Sequence, residues 1–212
     1  MTDAPRGQAG GTVYGVILAG GTSSRLGQPK QLLPLGDRPV LAHTVGNALR
    51  AALDGVTVVL GHEAAAIQAQ IDFGPARVVV NDRYRAGQST SLIAGLGALP
   101  PEADAALFIL GDQPLIGPAV LNALIAAYRQ TAALIVMPTY HDRRGNPVLF
   151  RRSLFPALAR ITGDQGARGV IAAHNQDVLT VPIADPPPTD DLDTPADYER
   201  LLAHYAALTA GR

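Results

Sequence analysis

Val16-Ile17-Leu18-Ala19-Gly20-Gly21-Thr22-Ser23-Ser24-Arg25-Leu26-Gly27-Gln28-Pro29-Lys30 is an apolar strand that breaks into glycines, hydroxyls and cations. That order suits an anion. Glycine admits positive φ and lets backbone N–H groups approach a ligand closely. Successive N–H groups in such a turn form a concave nest for phosphate oxygens. Arg25 adds a fork of donors and Lys30 a point charge. The loop lacks both G-x-x-x-x-G-K-[ST] and G-x-G-x-x-G, so it is neither the P-loop nor the dinucleotide fingerprint. Pro29 and Pro34 keep the following segment from forming one long helix. Spacing alone also allows a plain Gly-Ser surface loop with two solvated cations.

Around this stretch the chain alternates strand and helix. Val13–Leu18 is a continuous apolar run, as expected of a strand covered on both faces. Leu41, Val45, Ala48, Leu49 and Ala52 then recur at helical spacing. Strands are expected at Val56–Leu60, Ala76–Val80, Ala105–Leu110, Leu134–Met137, Pro147–Phe150 and Val178–Pro182. Helices are expected over 63–71, 89–99, from Gly117-Pro118 onward with Leu121, Leu124, Ile125 and Tyr128 on one face, and as short pieces near 154–160 and 167–174. A last helix opens at Thr194-Pro195-Ala196-Asp197, with Thr194 as cap and Tyr198, Leu201, Leu202 and Tyr205 on its buried face. The alternation predicts a mostly parallel sheet with helices on both faces. Asp185-Pro186-Pro187-Pro188 reads as a stiff loop rather than a domain linker.

Composition narrows the function. The 212 residues are 47% apolar, enough for a full core. A net charge of −1 gives no global case for nucleic-acid binding. Absence of cysteine excludes disulfides and thiolate metal sites. No apolar run approaches a membrane span. Residues 1–12 read as a loose polar tail without a hydrophobic signal core, residues 13–208 as one domain, and the setting as cytoplasmic.

Two acidic segments stand out. Gly111-Asp112-Gln113-Pro114 follows a strand directly, where ligands of open α/β sheets bind. A carboxylate beside a triphosphate would repel it without a cation, and Mg²⁺ binds one or two carboxylates plus phosphate oxygens. Asp190-Asp191-Leu192-Asp193-Thr194 precedes a helix N-terminus, where acids are also common for dipole reasons. Arg85-Ala86-Gly87-Gln88-Ser89-Thr90-Ser91 carries hydroxyls and an amide that suit a base edge or a ribose, or a simple helix cap.

The first loop, Leu18-Ala-Gly-Gly-x-Ser-Ser-Arg-Leu-Gly-x-x-Lys30 with Leu32-Leu33-Pro34, resembles the signature of the MobA-like nucleotidyltransferases, which include the molybdenum cofactor cytidylyl- and guanylyltransferases. It is also similar to the loop of sugar-nucleotide pyrophosphorylases. The resemblance spans nearly the whole chain beyond the tail. It implies a three-layer Rossmann-like α/β nucleotidyltransferase fold, with Pro147–Phe150 running antiparallel. It implies an NTP triphosphate held by Leu18, Ala19, Gly20, Gly21, Ser23, Arg25 and Lys30. It further implies Mg²⁺ on Asp112 and on Asp193 of the D-x-D-T-P-x-D segment, and base recognition by Gln88, Ser89 and Ser91. Catalysis would rest on Arg25, Lys30 and Asp112. Gly145-Asn146-Pro147 resembles an acceptor loop, and Arg168 could hold an acceptor phosphate. The Gly-x-Ser-Thr-Ser segment is of the cytidylyl kind and favours CTP, with molybdopterin as acceptor and a molybdoenzyme or chaperone as partner. Leu18-Ala19-Gly20-Gly21 is of the guanylyl kind, and the missing methyl at position 20 is expected to leave room in the base pocket. Other outcomes left open are guanylyl transfer, transfer to another small phosphorylated acceptor, and a non-catalytic nucleotide binder.

Overall fold

A computed structural model describes residues 11–184, 187 and 191–210. In chain order the elements begin with β1 (Val13–Ala19), β2 (Pro34–Leu35), β3 (Arg38–Pro39), α1 (Val40–Leu49), β4 (Gly55–Leu60) and α2 (Ala64–Gln70). They continue with β5 (Arg77–Val80), α3 (Gln88–Gly97), β6 (Ala105–Leu110), α4 (Pro118–Thr131), β7 (Ile135–Tyr140) and β8 (Arg143–Arg144). The remainder is β9 (Val148–Arg151), α5 (Phe155–Leu158), α6 (Arg168–Ala173), β10 (Val178–Pro182) and α7 (Pro195–Ala210).

One sheet runs in the order β10-β7-β9-β6-β1-β4-β5, with β8 paired to β7. β1 sits parallel between β4 and β6, and β5 extends the parallel set beyond β4. β9 runs antiparallel to both β6 and β7, as the resemblance implied. β10 runs parallel to β7.

Alternation along the central strands explains the layers. Successive side chains leave a strand on opposite faces. Ile17, Val58, Leu107 and Ile109 therefore meet Leu41, Val45, Ile67, Leu121 and Leu124 of α1, α2 and α4. Val16, Val59, Ala106 and Phe108 meet Leu92, Leu158 and Val170 of α3, α5 and α6 on the other side. Each fully buried Leu or Ile contributes about 1.5–3 kcal/mol relative to exposure. A strand with both faces covered has no polar side, which is why β1 and β6 read as continuous apolar runs and β4 does so apart from the buried Thr57.

Three departures from the sequence reading follow from local geometry. No long helix follows the first loop, as Pro29 and Pro34 implied, but Pro34 also starts an unexpected β2–β3 hairpin, turned through Gly36 at φ +63°. Glu63 caps α2 in the left-handed region, so that helix starts at Ala64. On α7, Tyr198, Leu201 and Tyr205 pack on a small cluster of Leu33, Leu35, Val40 and Leu192, whereas Leu202 is exposed. The contact stripe is only one residue wide, and Leu202 lies about 100° round the helix from Leu201. Of the expected loose tail, residues 1–10 lie outside the described residues. Gly11 and Thr12 are tied down: Thr12 N–H donates to Asp104 Oδ2 at 2.9 Å, and the Gly11 carbonyl accepts from Arg129. Asp185, Pro186, Pro188 and Asp190 also lie outside the described residues.

Candidate active site

β1 and β6 are neighbours, so their C-terminal ends deliver two loops side by side. The Gly111 N–H donates to the Leu18 carbonyl at 2.9 Å, locking the loop that carries Asp112 against the glycine loop. Between them opens a cleft of about 600 Å³, lined by Leu18, Ala19, Gly20, Gly21, Arg25, Lys30, Gln88, Ser91, Asp112 and Asp193 among others. The glycine loop folds back on itself. Ser23 adopts φ 52°, its carbonyl accepts from Leu26 N–H, and its hydroxyl accepts from Lys30 N–H at 3.0 Å. Ser23 lines a smaller hollow of about 230 Å³ with Gly21, Arg25, Lys30 and Asp193.

Gln31 escapes a motif search. It is 3% exposed, and its Nε2 donates to the Ala19 carbonyl at 2.8 Å and to Gly21 O at 3.4 Å, while its Oε1 has no partner among the described residues. It holds the start of the loop and lines the cleft. The one available signal was an amide among apolar neighbours, directly after Lys30.

Lys30 is the meeting point of distant segments. Its Nζ donates to Asp112 Oδ2 at 2.6 Å and to Asp193 Oδ1 at 3.0 Å. Arg25 lies 3.5 Å from the other Asp193 oxygen. Hydrophobic burial brings Asp193 there. Leu192 is 1% exposed and enters the cluster of Leu33, Leu35 and Val40, just downstream of Lys30. With Leu192 anchored, Asp191 and Asp193 on either side line the cleft. The start of α7 stiffens the segment: Thr194 N–H donates to Asp197 Oδ2 at 2.7 Å, and Asp197 N–H donates back to the Thr194 hydroxyl at 3.3 Å. The Thr194 hydroxyl, which donates to Asp197 Oδ2 at 2.8 Å, and then the Thr194 N–H hold the Asp197 carboxyl below its ordinary pKa.

Burial by itself would lower the Lys30 pKa. The Asp112 charge and hydrogen bond, followed by those of Asp193, reverse this and hold the ammonium above its usual value. Desolvation, then the charge of Asp112, raises the pKa of Asp191, against a 3.0 Å hydrogen bond from Gln113. Asp112 and Asp193 thus converge on one cation, the Lys30 ammonium. No group of three or more His, Cys, Asp or Glu side chains suited to a metal occurs among the described residues. A two-carboxylate site completed by phosphate and water fits a hard cation such as Mg²⁺.

The 87–91 segment forms the first turn of α3. Gly87, at φ 109°, packs on Gly163, and the Asp164 carboxylate accepts from Gln88 N–H at 3.1 Å. Gln88 and Ser91 line the cleft, joined by Tyr84 and Arg85. Ser89 does not; it is 2% exposed, and its N–H donates to Gly163 O. A Cβ on Gly20 would stand 2.7 Å from Ser91 Oγ, so the missing methyl makes room for the Ser91 hydroxyl.

A second hollow, of about 160 Å³, adjoins the cleft and shares Leu18, Gln88, Leu110 and Asp191 with it. Phe108 and Phe150 form part of its apolar lining, and Asn146, Gln165 and Arg168 add polar groups. Gly145 and Pro147 do not line it. Gly145 leaves space for the Tyr140 ring, whose hydroxyl donates to the Asn146 carbonyl at 2.6 Å. His141 and Asp142 are exposed in the β7–β8 turn and line neither hollow.

A three-layer α/β fold with this cleft at the ends of its parallel strands is that of the nucleotidyltransferases. Residues 15–178 match the family described as MobA-like NTP transferase domain, and the chain belongs to that family. It is 32% identical over 197 residues to the nicotine blue oxidoreductase of Paenarthrobacter nicotinovorans, covering 90% of this chain and 96% of that one. Among solved structures, the Rv0371c homolog of Mycobacterium sp. strain JC1 superposes with a TM-score of 0.84 at 37% identity, over 92% of this chain and 98% of that one. Rv0371c of Mycobacterium tuberculosis H37Rv in complex with manganese gives a TM-score of 0.77 at 35% identity, over 91% and 98%. A divalent ion therefore binds a member of this family. Among the described residues, no helix is long and apolar enough to cross a membrane.

Proposed function

We propose that residues 13–208 work as one Mg²⁺-dependent domain that transfers a nucleoside monophosphate, CMP from CTP, to the phosphate of molybdopterin in the cytoplasm. An oxygen of the acceptor phosphate attacks the α-phosphorus of the NTP, the bond from that phosphorus to the bridging oxygen breaks, and pyrophosphate leaves. An acceptor phosphate is already ionised at neutral pH, so no strong base is required. The protein's work is positioning and charge neutralisation.

The observation that carries this reading is the convergence of Asp112 and Asp193 on Lys30 at the rim of the glycine loop. Gly20, Gly21 and Ser23 cradle phosphates. Arg25 and Lys30 offset charge on the α-phosphate and the leaving group, and Lys30 leaves the carboxylates to do so. Asp112 and Asp193 hold Mg²⁺, which when bound supplies Lewis-acid polarisation of phosphoryl oxygens. Gln88 and Ser91 face the base, and Ser89 supports them from behind. Asn146 and Arg168 face the acceptor in the second hollow, with Gly145 and Pro147 flanking Asn146 in the chain. Arg168 suits an acceptor phosphate, and the apolar lining around Phe108 and Phe150 suits a flat ring system.

The test is to incubate the protein with each of the four NTPs, Mg²⁺ and molybdopterin, and to measure pyrophosphate. Release with CTP above the other three is expected; preference for GTP would move the assignment to guanylyl transfer. NTP binding without release under all conditions would leave a nucleotide-binding accessory protein. A second reading comes from the relative named an oxidoreductase. Adding NADH or NADPH to the same mixtures separates the two, since a transferase consumes neither.

A further inference from the structure

Asn81 follows β5 and is 6% exposed, yet it does not line the cleft. Its side chain can be read without ambiguity. The Arg83 backbone N–H donates to Oδ1 at 3.0 Å, which fixes which end of the amide is the oxygen. Both hydrogens of Nδ2 are then committed, one to Thr90 Oγ1 at 2.9 Å and one to Ser91 Oγ at 3.0 Å. Each hydroxyl therefore accepts from Asn81 and must place its own proton elsewhere. Thr90 donates to the Gly87 carbonyl at 2.8 Å. Ser91 has no such outlet: among the described residues its proton meets no acceptor, and the side chain, 6% exposed, borders the cleft beside Gly20.

We propose that Asn81 is a positioning residue that fixes Ser91 as a hydrogen-bond donor into the cleft, where it receives a carbonyl oxygen of the bound nucleobase. This rests on the nucleotide reading above. Ser91 Oγ stands against the uncharged backbone of Gly20, whereas the cations Arg25 and Lys30 line the hollow beside Ser23 and Asp193. A lone neutral donor matches a carbonyl oxygen better than a phosphate. Gly20 completes the arrangement, because a Cβ there would displace the hydroxyl that Asn81 holds.

Asn81→Asp reverses the polarity at nearly constant shape. A carboxylate still accepts from Arg83 N–H, but it now accepts from Ser91 as well, so the Ser91 proton turns away and a lone pair faces the cleft. The dissociation constant of the preferred NTP, measured by titration calorimetry, is expected to rise at least about tenfold, the scale of one lost hydrogen bond. Binding of inorganic tripolyphosphate, which has no base, is expected to stay unchanged; a merely structural defect would weaken both. Ser91→Ala gives the same selective loss, and Asn81→Asp adds nothing in the Ser91→Ala background. Unchanged NTP affinity in either single variant, parallel loss of tripolyphosphate, or a full Asn81→Asp effect without Ser91 would overturn the inference. If Asn81→Asp melts too low to titrate, Ser91→Ala alone decides by the same readout. Wild-type protein that binds tripolyphosphate but no NTP would overturn this inference and the nucleotide reading together. NTP binding that ignores both substitutions would overturn this inference alone.

Discussion

Asp112 and Asp193 meet the same ammonium and are held there by different means. Asp112 is two residues beyond the central strand β6, with a side chain 14% exposed. Asp193 is 50% exposed and arrives on a returning segment held to the body by Leu192, a Gln113–Asp191 hydrogen bond and one stripe of α7. No residue of α7 is fully buried. One carboxylate is set by the sheet and the other is carried to it. On the proposed function, such a site keeps one fixed ligand while the second can shift as the polyphosphate enters.

The contrast is broken most directly by removing each acid in turn. Asp112→Ala is expected to lower the rate of pyrophosphate release on the order of a thousandfold, the loss of several kcal/mol of charge stabilisation, with an unchanged melting profile. Asp193→Asn should cost nearer about tenfold, because an exposed ligand is more readily replaced by water. Equal losses would mean that the two acids are held alike.

Leu192→Ala tests the carrying segment. Truncating a buried leucine costs about 2–5 kcal/mol, and here the cost should fall locally. Hydrogen exchange at the α7 amides should accelerate while β1 and β6 stay protected. If all three elements lose protection together, Asp193 is as firmly built in as Asp112.

The sequence made one half of this contrast legible and left the other obscure. Strand β1, its loop and the strand before Asp112 follow from apolar runs, since a doubly covered strand admits no polar residues. Asp193 could be named from its motif, but Leu192 as its anchor could not, because what a single leucine between acids packs against is set by chain far away. The same limit explains position 20, where the occupant of the missing methyl's space is Ser91 from another element. It explains Ser89 too: three successive hydroxyls at the start of a helix point in three directions, and only packing decides which reaches the cleft. The β2–β3 hairpin escaped because strands of two residues carry no periodicity.

Lys30→Ala sharpens the comparison from the side of the shared cation. Lys30 contacts both carboxylates, so its removal should tighten Mn²⁺ binding about tenfold while weakening NTP binding by a similar factor. Opposite signs in one variant are the point. Loss of both would mean that Lys30 only holds the fold, and unchanged NTP affinity would remove it from the phosphates. Adding Asp193→Asn to Lys30→Ala should take back part of the gain in Mn²⁺ affinity.

The smallest expected effect concerns a loop that the sheet delivers, the turn after β7. Tyr140 is 7% exposed, its hydroxyl donates to the Asn146 carbonyl at 2.6 Å, and burial pushes its pKa well up. In the folded chain the phenol stays protonated where an unfolded tyrosine, near about 10, has ionised. The folded state then binds more protons than the unfolded one, so this contribution to stability is complete below about pH 10 and declines as pH rises. Tyr140→Phe should therefore cost about 0.5–1.5 kcal/mol at neutral pH through the lost hydrogen bond, and the two stability curves should converge in alkali. Tyr14 and Tyr128, whose pKa values are also raised, tilt both curves alike. Urea denaturation of both proteins at about pH 7 and about pH 11 measures the gap. A gap that stays constant would show that Tyr140 ionises as freely in the folded chain as outside it, and that the Gly145–Asn146 turn is held no more tightly than the segment carrying Asp193.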